Sequence, residues 1–287
     1  MNVDMSPARI AAAQAQVPLA FREPWPVRLR KIALWTMFIG LFAWCLYDFN
    51  FAPARIIEGL GRFGRVLGFM FPPHIWTTWA GWSEVLKGLG ETLSMAFLGT
   101  VLGAVVAFPL SFLGAKTLNK VFWLRQGTRR VYDVIRAFET LILALIFIRA
   151  FGLGPLAGIM AIAVSEVGTL AKLFSEALEN TSKKPVEGVM ASGGSQLQTI
   201  RFAIMPQVMP VHLSVLLYNF ESNVRSGTIL GIVGAGGIGF LLSDRISAYK
   251  WDEAWSIIFL IIAMVYLIDW LSRLLRAKLI GTSDLAK

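Results

Sequence analysis

"LYNFESNVRSGTILGIVGAGGIGF", residues 217–240, has two incompatible readings, and the choice between them decides the fold. Its second half places Gly234, Gly236 and Gly239 in the order G-x-G-x-x-G. In an α/β protein that pattern follows a short buried strand, opens a helix and cradles the pyrophosphate of a dinucleotide. Here the glycines follow a long apolar helical stretch that starts near residue 209. No βαβ unit surrounds them, and the acidic residue near the fingerprint's distance, Asp252, opens the next apolar stretch. Gly234, Gly236, Gly237 and Gly239 therefore read as a tight, irregular turn at the end of a membrane span. Such backbone must be buried in protein or line a water-filled cavity, because lipid cannot satisfy its peptide groups.

Composition agrees with the membrane reading. Of 287 residues, 56% are hydrophobic and only 16% charged, and mean hydropathy is +0.62. A soluble domain carries about 25% charged residues. Cys45 is the sole cysteine, and His74 and His212 stand far apart, which excludes an intrachain disulfide, a CxxC motif and any metal-ligand spacing. No metal and no cofactor are expected. The net charge of +9 would suggest nucleic acid on a soluble chain. Here the placement of the charges matters more than their sum, and no nucleic-acid partner is expected.

A membrane-crossing helix needs about 20 mostly apolar residues. Six segments approach that length, at roughly 32–47, 92–113, 134–151, 154–173, 209–233 and 254–271. In the second, Gly99 and Gly103 allow close helix packing and Pro109 suggests a kink. The fold expected is an all-α membrane protein. Nineteen of the 27 Lys and Arg residues precede the first span, lie between or just inside the ends of the second and third or the fourth and fifth, or follow the sixth. Seven lie in the opposite loops or just inside the adjoining span ends, and Arg225 lies deep within a span. The positive-inside rule then puts both termini in the cytoplasm, as an even number of spans requires. The first span resembles a signal peptide in its preceding basic residues and in Ala52-Pro53-Ala54, but its 31-residue arm and its Trp and Tyr residues favour an uncleaved anchor.

Between the first two spans, Ile56, Leu60, Phe63, Leu67 and Met70 recur at helical spacing, with Arg55, Glu58, Arg62 and Arg65 on other faces. This fits an amphipathic helix on the outer membrane surface, and equally a loop helix packed on protein. The organisation expected is a cytoplasmic arm over 1–31, an anchor over 32–51, an extracytoplasmic amphipathic segment over 52–83, a core over 84–275 and a cytoplasmic tail over 276–287.

The fifth span carries unusual polarity. Ser214, Tyr218, Glu221, Arg225 and Thr228 are spaced to form one helical stripe, with Asn223 and Ser226 beside it. Charges in a span are costly and face a bundle interior or an aqueous path. Glu221 and Arg225, at i and i+4, can pair. The stripe fits a translocation path, and also a buried polar seam between helices. In the fourth span Glu166 stands alone.

The string "PVEGVMASGGSQLQTIRFAIMP", residues 185–206, lies on the expected cytoplasmic side between the fourth and fifth spans. It breaks at Gly193-Gly194 and resumes as a basic, amphipathic helix. It resembles the loop of bacterial ABC importer permeases with the pattern E-A-A-x3-G-x9-I-x-L-P. Glu187, Gly193 and Pro206 fall at that spacing, while Gly188, Val189, Ala203 and Met205 depart from it. The strings "ETLSMAFLGTVLGAVVAFPLSFLGAKT", "RAFETLILALIF" and "LYNFESNVRSGTILGIVGAGGIG" are similar to the phosphonate-importer permease subfamily over roughly 72–271. Ser165-Glu166 is a departure, since related sequences tend to have His-Thr there.

The resemblance implies a type I ABC importer in the bacterial inner membrane. Two permease copies, expected to be identical, would sit on two cytoplasmic ATPase subunits. An extracytoplasmic binding protein would deliver phosphonate or a related oxyanion. Glu187, Gly193 and Pro206 would couple the permease to ATP hydrolysis on the partner. The chain itself has no G-x-x-x-x-G-K-[ST] loop, and Gly114-Ala115-Lys116-Thr117 lacks that pattern. Another small solute, or an ATP-independent channel or carrier, would share the six spans, but a channel needs no ATPase docking helix.

Overall fold

The computed structural model describes residues 24–280 apart from 50, 70 and 72, with the side chains of 279 and 280 left aside. Most of the arm over 1–31, the tail beyond 280, and Met70 and Pro72 lie outside the described residues. The chain divides into two units, Met1–Leu67 and Gly68–Lys287.

In the first unit, α1 spans Trp25–Asp48. Pro24 stands at its cap and Pro26 in its first turn, where a missing N–H costs nothing. None of its residues is buried, as a rod of apolar side chains requires lipid or another chain around it. The next helix, α2, spans Pro53–Gly68 and is strongly two-faced. Ile57, Leu60 and Phe63 are all more than half exposed on one side. Glu58 and Arg62 pair on the other, one helical turn apart.

The second unit is helical throughout most of its described residues: α3 Trp79–Gly114, α4 Phe122–Ala137, α5 Thr140–Phe151, α6 Pro155–Glu179, α7 Lys183–Ala191, α8 Gln196–Thr199, α9 Met205–Leu230, α10 Gly237–Ser247 and α11 Trp251–Ile280. Two π turns, Ile200–Ile204 and Gly231–Ala235, flank α9. Among the described residues, five helical stretches are long and apolar enough to cross a membrane: Trp25–Asp48, Trp79–Gly114, Pro155–Glu179, Gln196–Ala235 and Trp251–Lys278.

The apolar segment expected over 134–151 is divided. Phe138 and Glu139 take extended backbone between amphipathic α4 and apolar α5. At about 1.5 Å per residue, α5 is about 18 Å long, short of the roughly 30 Å of a bilayer core. No Gly or Pro marks this break, so periodicity alone runs through it.

Helix α3 is the axis of the second unit. In lipid there is little hydrophobic drive between helices, and small residues that let backbones approach supply the contact. A Cβ at Gly99 would stand 2.6 Å from Cβ of Ile162, and one at Gly103 would stand 2.5 Å from Cβ of Glu166. These two positions seat α6 against α3. Further along, Tyr132 of α4 is buried with Ala107 and with Leu170, Ala171 and Phe174 of α6, and its hydroxyl donates to the Leu110 carbonyl. Burial pushes the Tyr132 hydroxyl pKa up. Beside it the Lys172 ammonium donates to Asp133 at 2.9 Å and holds that carboxyl below its ordinary range.

At the same end, Arg129 donates from Nε to the Gly114 carbonyl at 2.9 Å and pairs with Glu179. This joins the last residue of α3 to the last residue of α6. At the other end, Val85 of α3 packs with Ile238, Leu241 and Leu242 of α10 and with Ala254 and Ile257 of α11. The polar features of 182–239 hang between these two packed ends.

Candidate functional site

Three features carry the residues singled out by sequence: the connection from α6 to α9, the polar faces of α9, and the glycine turn after it.

The connection is built from local rules. Helix α7 ends in a Schellman motif. The Gly193 N–H donates to the Met190 carbonyl and the Gly194 N–H to the Val189 carbonyl, both at 3.0 Å. Gly193 sits at φ +82°, which a residue without a Cβ adopts at no cost. Ser195 then opens α8 with a capping box: its hydroxyl accepts from the Gln198 N–H, and the Gln198 side chain accepts from the Ser195 N–H. The backbone widens into the π turn just before Pro206, which has no N–H to offer a regular helix. Gln207 ties the ends together by accepting from the Ser182 N–H at 2.9 Å.

One side of this connection is anchored. Ile204 and Val208 are buried with Ala115 and Leu178, and Val186 and Ile200 pack on them. The other side is free in the single chain. Glu187 and Pro206 are exposed, and so are the apolar side chains Met190, Leu197 and Phe202, each more than 60% accessible. Exposed apolar groups rimmed by charge are a contact surface.

The structure separates the polar residues of α9. Glu221 is buried and Arg225 half-exposed on the side that meets α11. Arg225 donates to Glu221 Oε1 at 3.2 Å, Arg276 donates to Glu221 Oε2 at 3.1 Å, and Arg225 faces Asp269 at 3.4 Å. Asn223 lies two residues on from Glu221, about 200° around the helix. It is buried and donates to Thr100 of α3 at 3.0 Å and to Glu166 of α6 at 2.9 Å. Tyr218 is exposed, and Ser214, Ser226 and Thr228 are half-buried. The stripe thus comprises a charged face toward α11 and a buried tie toward α3 and α6.

The glycine turn joins two helices. Gly234, Gly236 and Gly237 all have positive φ, at +106°, +83° and +73°. A Cβ on Gly239 would stand 1.9 Å from the Thr228 carbonyl oxygen, so α10 folds back directly on α9. The first N–H groups of α10 are already engaged: Gly237 donates to Glu91 at 3.1 Å and Ile238 to Thr92 at 2.9 Å. They are capped by α3 rather than offered to a passing anion.

Several participants escaped sequence reasoning. Asp269 in an apolar span carried a readable signal, since charge within a span marks a site. Thr100, Glu91 and Thr92 carried none, because their partners lie more than a hundred residues away. His212 is buried with its ring stacked on Phe174 at 4.2 Å between centroids, and His74 is 3.3 Å from Asp252. No cluster of three potential metal ligands occurs among the described residues.

The chain is similar to several known transport permeases. The phosphite transport system permease protein PtxC of Stutzerimonas stutzeri is 31% identical over 252 residues, 88% of this chain and 90% of that one. HtxC of the same organism, provisionally named a phosphite transport system permease protein, is 34% identical over 255 residues, 89% of each chain. The phosphate-import permease protein PhnE of Mycolicibacterium smegmatis is 38% identical over 69% of this chain, which corresponds to 37% of PhnE. Among solved structures, an inward-facing MetNI methionine ABC transporter chain matches with TM-score 0.62 at 20% identity, covering 71% of this chain and 99% of that one. That likeness supports the fold. The family model for the binding-protein-dependent transport system inner membrane component matches residues 99–281. This chain belongs to that family, the membrane permeases of binding-protein-dependent transport systems.

Proposed function

We propose that the chain is the permease subunit of an ATP-driven importer that moves a small phosphorus oxyanion, phosphite, phosphate or phosphonate, across the bacterial inner membrane. The observation that carries this is the connection from α6 to α9. A Schellman turn and a capping box hold Glu187, Met190, Leu197 and Phe202 outward from an anchored base. That is a rigid protrusion suited to docking in a groove of a cytoplasmic ATPase. Glu187, Gly193 and Pro206 are its coupling residues. The phosphorus oxyanion is suggested by relatives named for phosphite and phosphate transport.

In this reading both termini face the cytoplasm, with the arm over 1–31 and the chain that follows α11 there. Residues 32–51 anchor the chain, the segment over 52–83 lies outside, and the core expected over 84–275 extends to the end of α11, which carries Arg276 onto Glu221. A second, identical copy completes the pore, and an extracytoplasmic binding protein delivers the solute. The charged face of α9, with Glu221 and Arg225, lines the path, and Ser214, Tyr218, Ser226 and Thr228 border it. Asn223 holds α9 in place against α3 and α6. The glycines at 234, 236, 237 and 239 close the outer end of α9. Helix α2 lies on the outer membrane surface.

The test is uptake in proteoliposomes holding the permease, its ATPase and its binding protein, with phosphite, phosphate and methylphosphonate each as solute. The expected result is ATP-dependent uptake of at least one of them. Uptake that persists without the ATPase would instead establish a channel or carrier.

A further inference from the structure

Resting on the reading of Arg225 as part of the solute path, we infer that Arg276 is a positioning residue that neutralises Glu221, so that Arg225 can exchange Asp269 for the travelling oxyanion. A carboxylate beside an anion path is a barrier unless its charge is cancelled. Glu221 is buried, and each of its oxygens accepts from a different arginine, Oε1 from Arg225 at 3.2 Å and Oε2 from Arg276 at 3.1 Å. One cation suffices to cancel one carboxylate. The second is therefore not needed at Glu221, and the geometry identifies which one is available to another partner.

Arg276 is the more enclosed of the two, its side chain 22% exposed against 46% for Arg225. It is committed to Glu221. Arg225 also reaches Asp269, at 3.4 and 3.5 Å, farther than the 3.2 and 3.1 Å contacts that the two arginines make with Glu221. The outer side of Arg225 is thus loosely held, half-exposed and flanked by a competing carboxylate. An oxyanion with two or three acceptor oxygens can take the place of Asp269 there, and Asp269 can reclaim the position on release. Weak, exchangeable binding of this kind is what conduction requires. The four side chains, two acids and two bases, span α9 and α11, so the exchange couples to how those two helices sit.

The test is a double-variant cycle in the complete reconstituted complex, reading uptake of phosphite, phosphate and methylphosphonate alongside binding-protein-stimulated ATPase activity. Arg276→Gln is expected to lower uptake at least tenfold with stimulated ATPase activity retained. Glu221→Gln combined with Arg276→Gln is expected to transport within about threefold of Glu221→Gln alone, because the carboxylate that Arg276 cancels is already gone, while Asp269 keeps Arg225 as its partner. A double variant tenfold or more below Glu221→Gln overturns the inference and leaves Arg276 a packing residue. So does wild-type uptake in Arg276→Gln. If Arg276→Gln does not reach the membrane, the comparison of Glu221→Gln with the double variant decides on its own. Full uptake in Arg225→Ala would mark failure of the path reading itself, and this result is distinct from failure of the Arg276 role.

Discussion

The Asn223 side chain donates to Glu166 at 2.9 Å while its second proton reaches Thr100 at 3.0 Å, and one amide thereby joins α9 to both α6 and α3. The other oxygen of Glu166 is buried with no partner among the described residues. Asn223→Ala therefore strips the remaining bond from a buried acid. A buried polar group that loses its partner costs about 1–3 kcal/mol. The apparent melting temperature of the purified variant should fall by several degrees. Glu166→Gln keeps an acceptor for Asn223 and should fall less. Equal melting of wild type and Asn223→Ala would show that the tie carries no stability.

Close approach of α3 and α6 gives a sharper contrast within one helix. Gly103→Ala places a Cβ 2.5 Å from Cβ of Glu166 and 2.9 Å from the Ala163 carbonyl oxygen. Overpacking of this kind costs about 1–3 kcal/mol. Gly90 in the same helix has open space around its Cβ position. Gly90→Ala should be neutral, or stabilising by up to about 1 kcal/mol from helix propensity. Thermal unfolding in detergent should rank Gly90→Ala above wild type or level with it, and Gly103→Ala below. The reverse order would disprove the tight seam.

The turn at Gly193 can be broken without touching the membrane core. Proline there would force φ to about −65° where the chain needs +82°, and would delete the N–H that bonds Met190. Gly193→Pro should leave the permease in the membrane and reduce binding-protein-stimulated ATPase activity to its unstimulated rate. Glu187→Lys reverses an exposed charge on the same protrusion and should do likewise. Normal stimulation in both variants would end the coupling assignment for this loop.

How much of this was readable depends on the range of the interaction concerned. Apolar length is a local property, and it marked the spans. The Schellman glycine and the Ser195 cap are also local, and the break at Gly193-Gly194 was visible. The extended pair Phe138-Glu139 was not, because no Gly or Pro marks it and the apolar run continues through it. On α9 the spacing of Glu221 and Arg225 was legible. The assignment of Asn223 to the opposite side followed only once α3 and α6 were in place, since helical phase shows relative direction and not the neighbour. The partner of Glu166, which stands alone in its span, was not legible for the same reason: it is 57 residues away.

Helix α2 offers the last expectation. Its apolar side, with Ile57 70%, Leu60 62% and Phe63 56% exposed, is open to the surroundings. Its polar side carries Arg55, Arg62 and Arg65 against one acid, Glu58. The helix starts five residues after α1 ends at Asp48, so with α1 as the proposed membrane anchor its first turn is expected at the bilayer surface. An amphipathic helix there inserts its apolar face among the acyl chains, and each arginine near anionic lipid adds about 1 kcal/mol. In a variant whose Cys45 is replaced, spin labels at Leu60→Cys and Arg62→Cys should differ. The label at 60 should be shielded from a water-soluble relaxation agent and reached by oxygen, and the label at 62 should show the opposite. Shielding of the label at 60 from both agents would place α2 on protein instead, and equal exposure of both labels to water would remove it from the membrane.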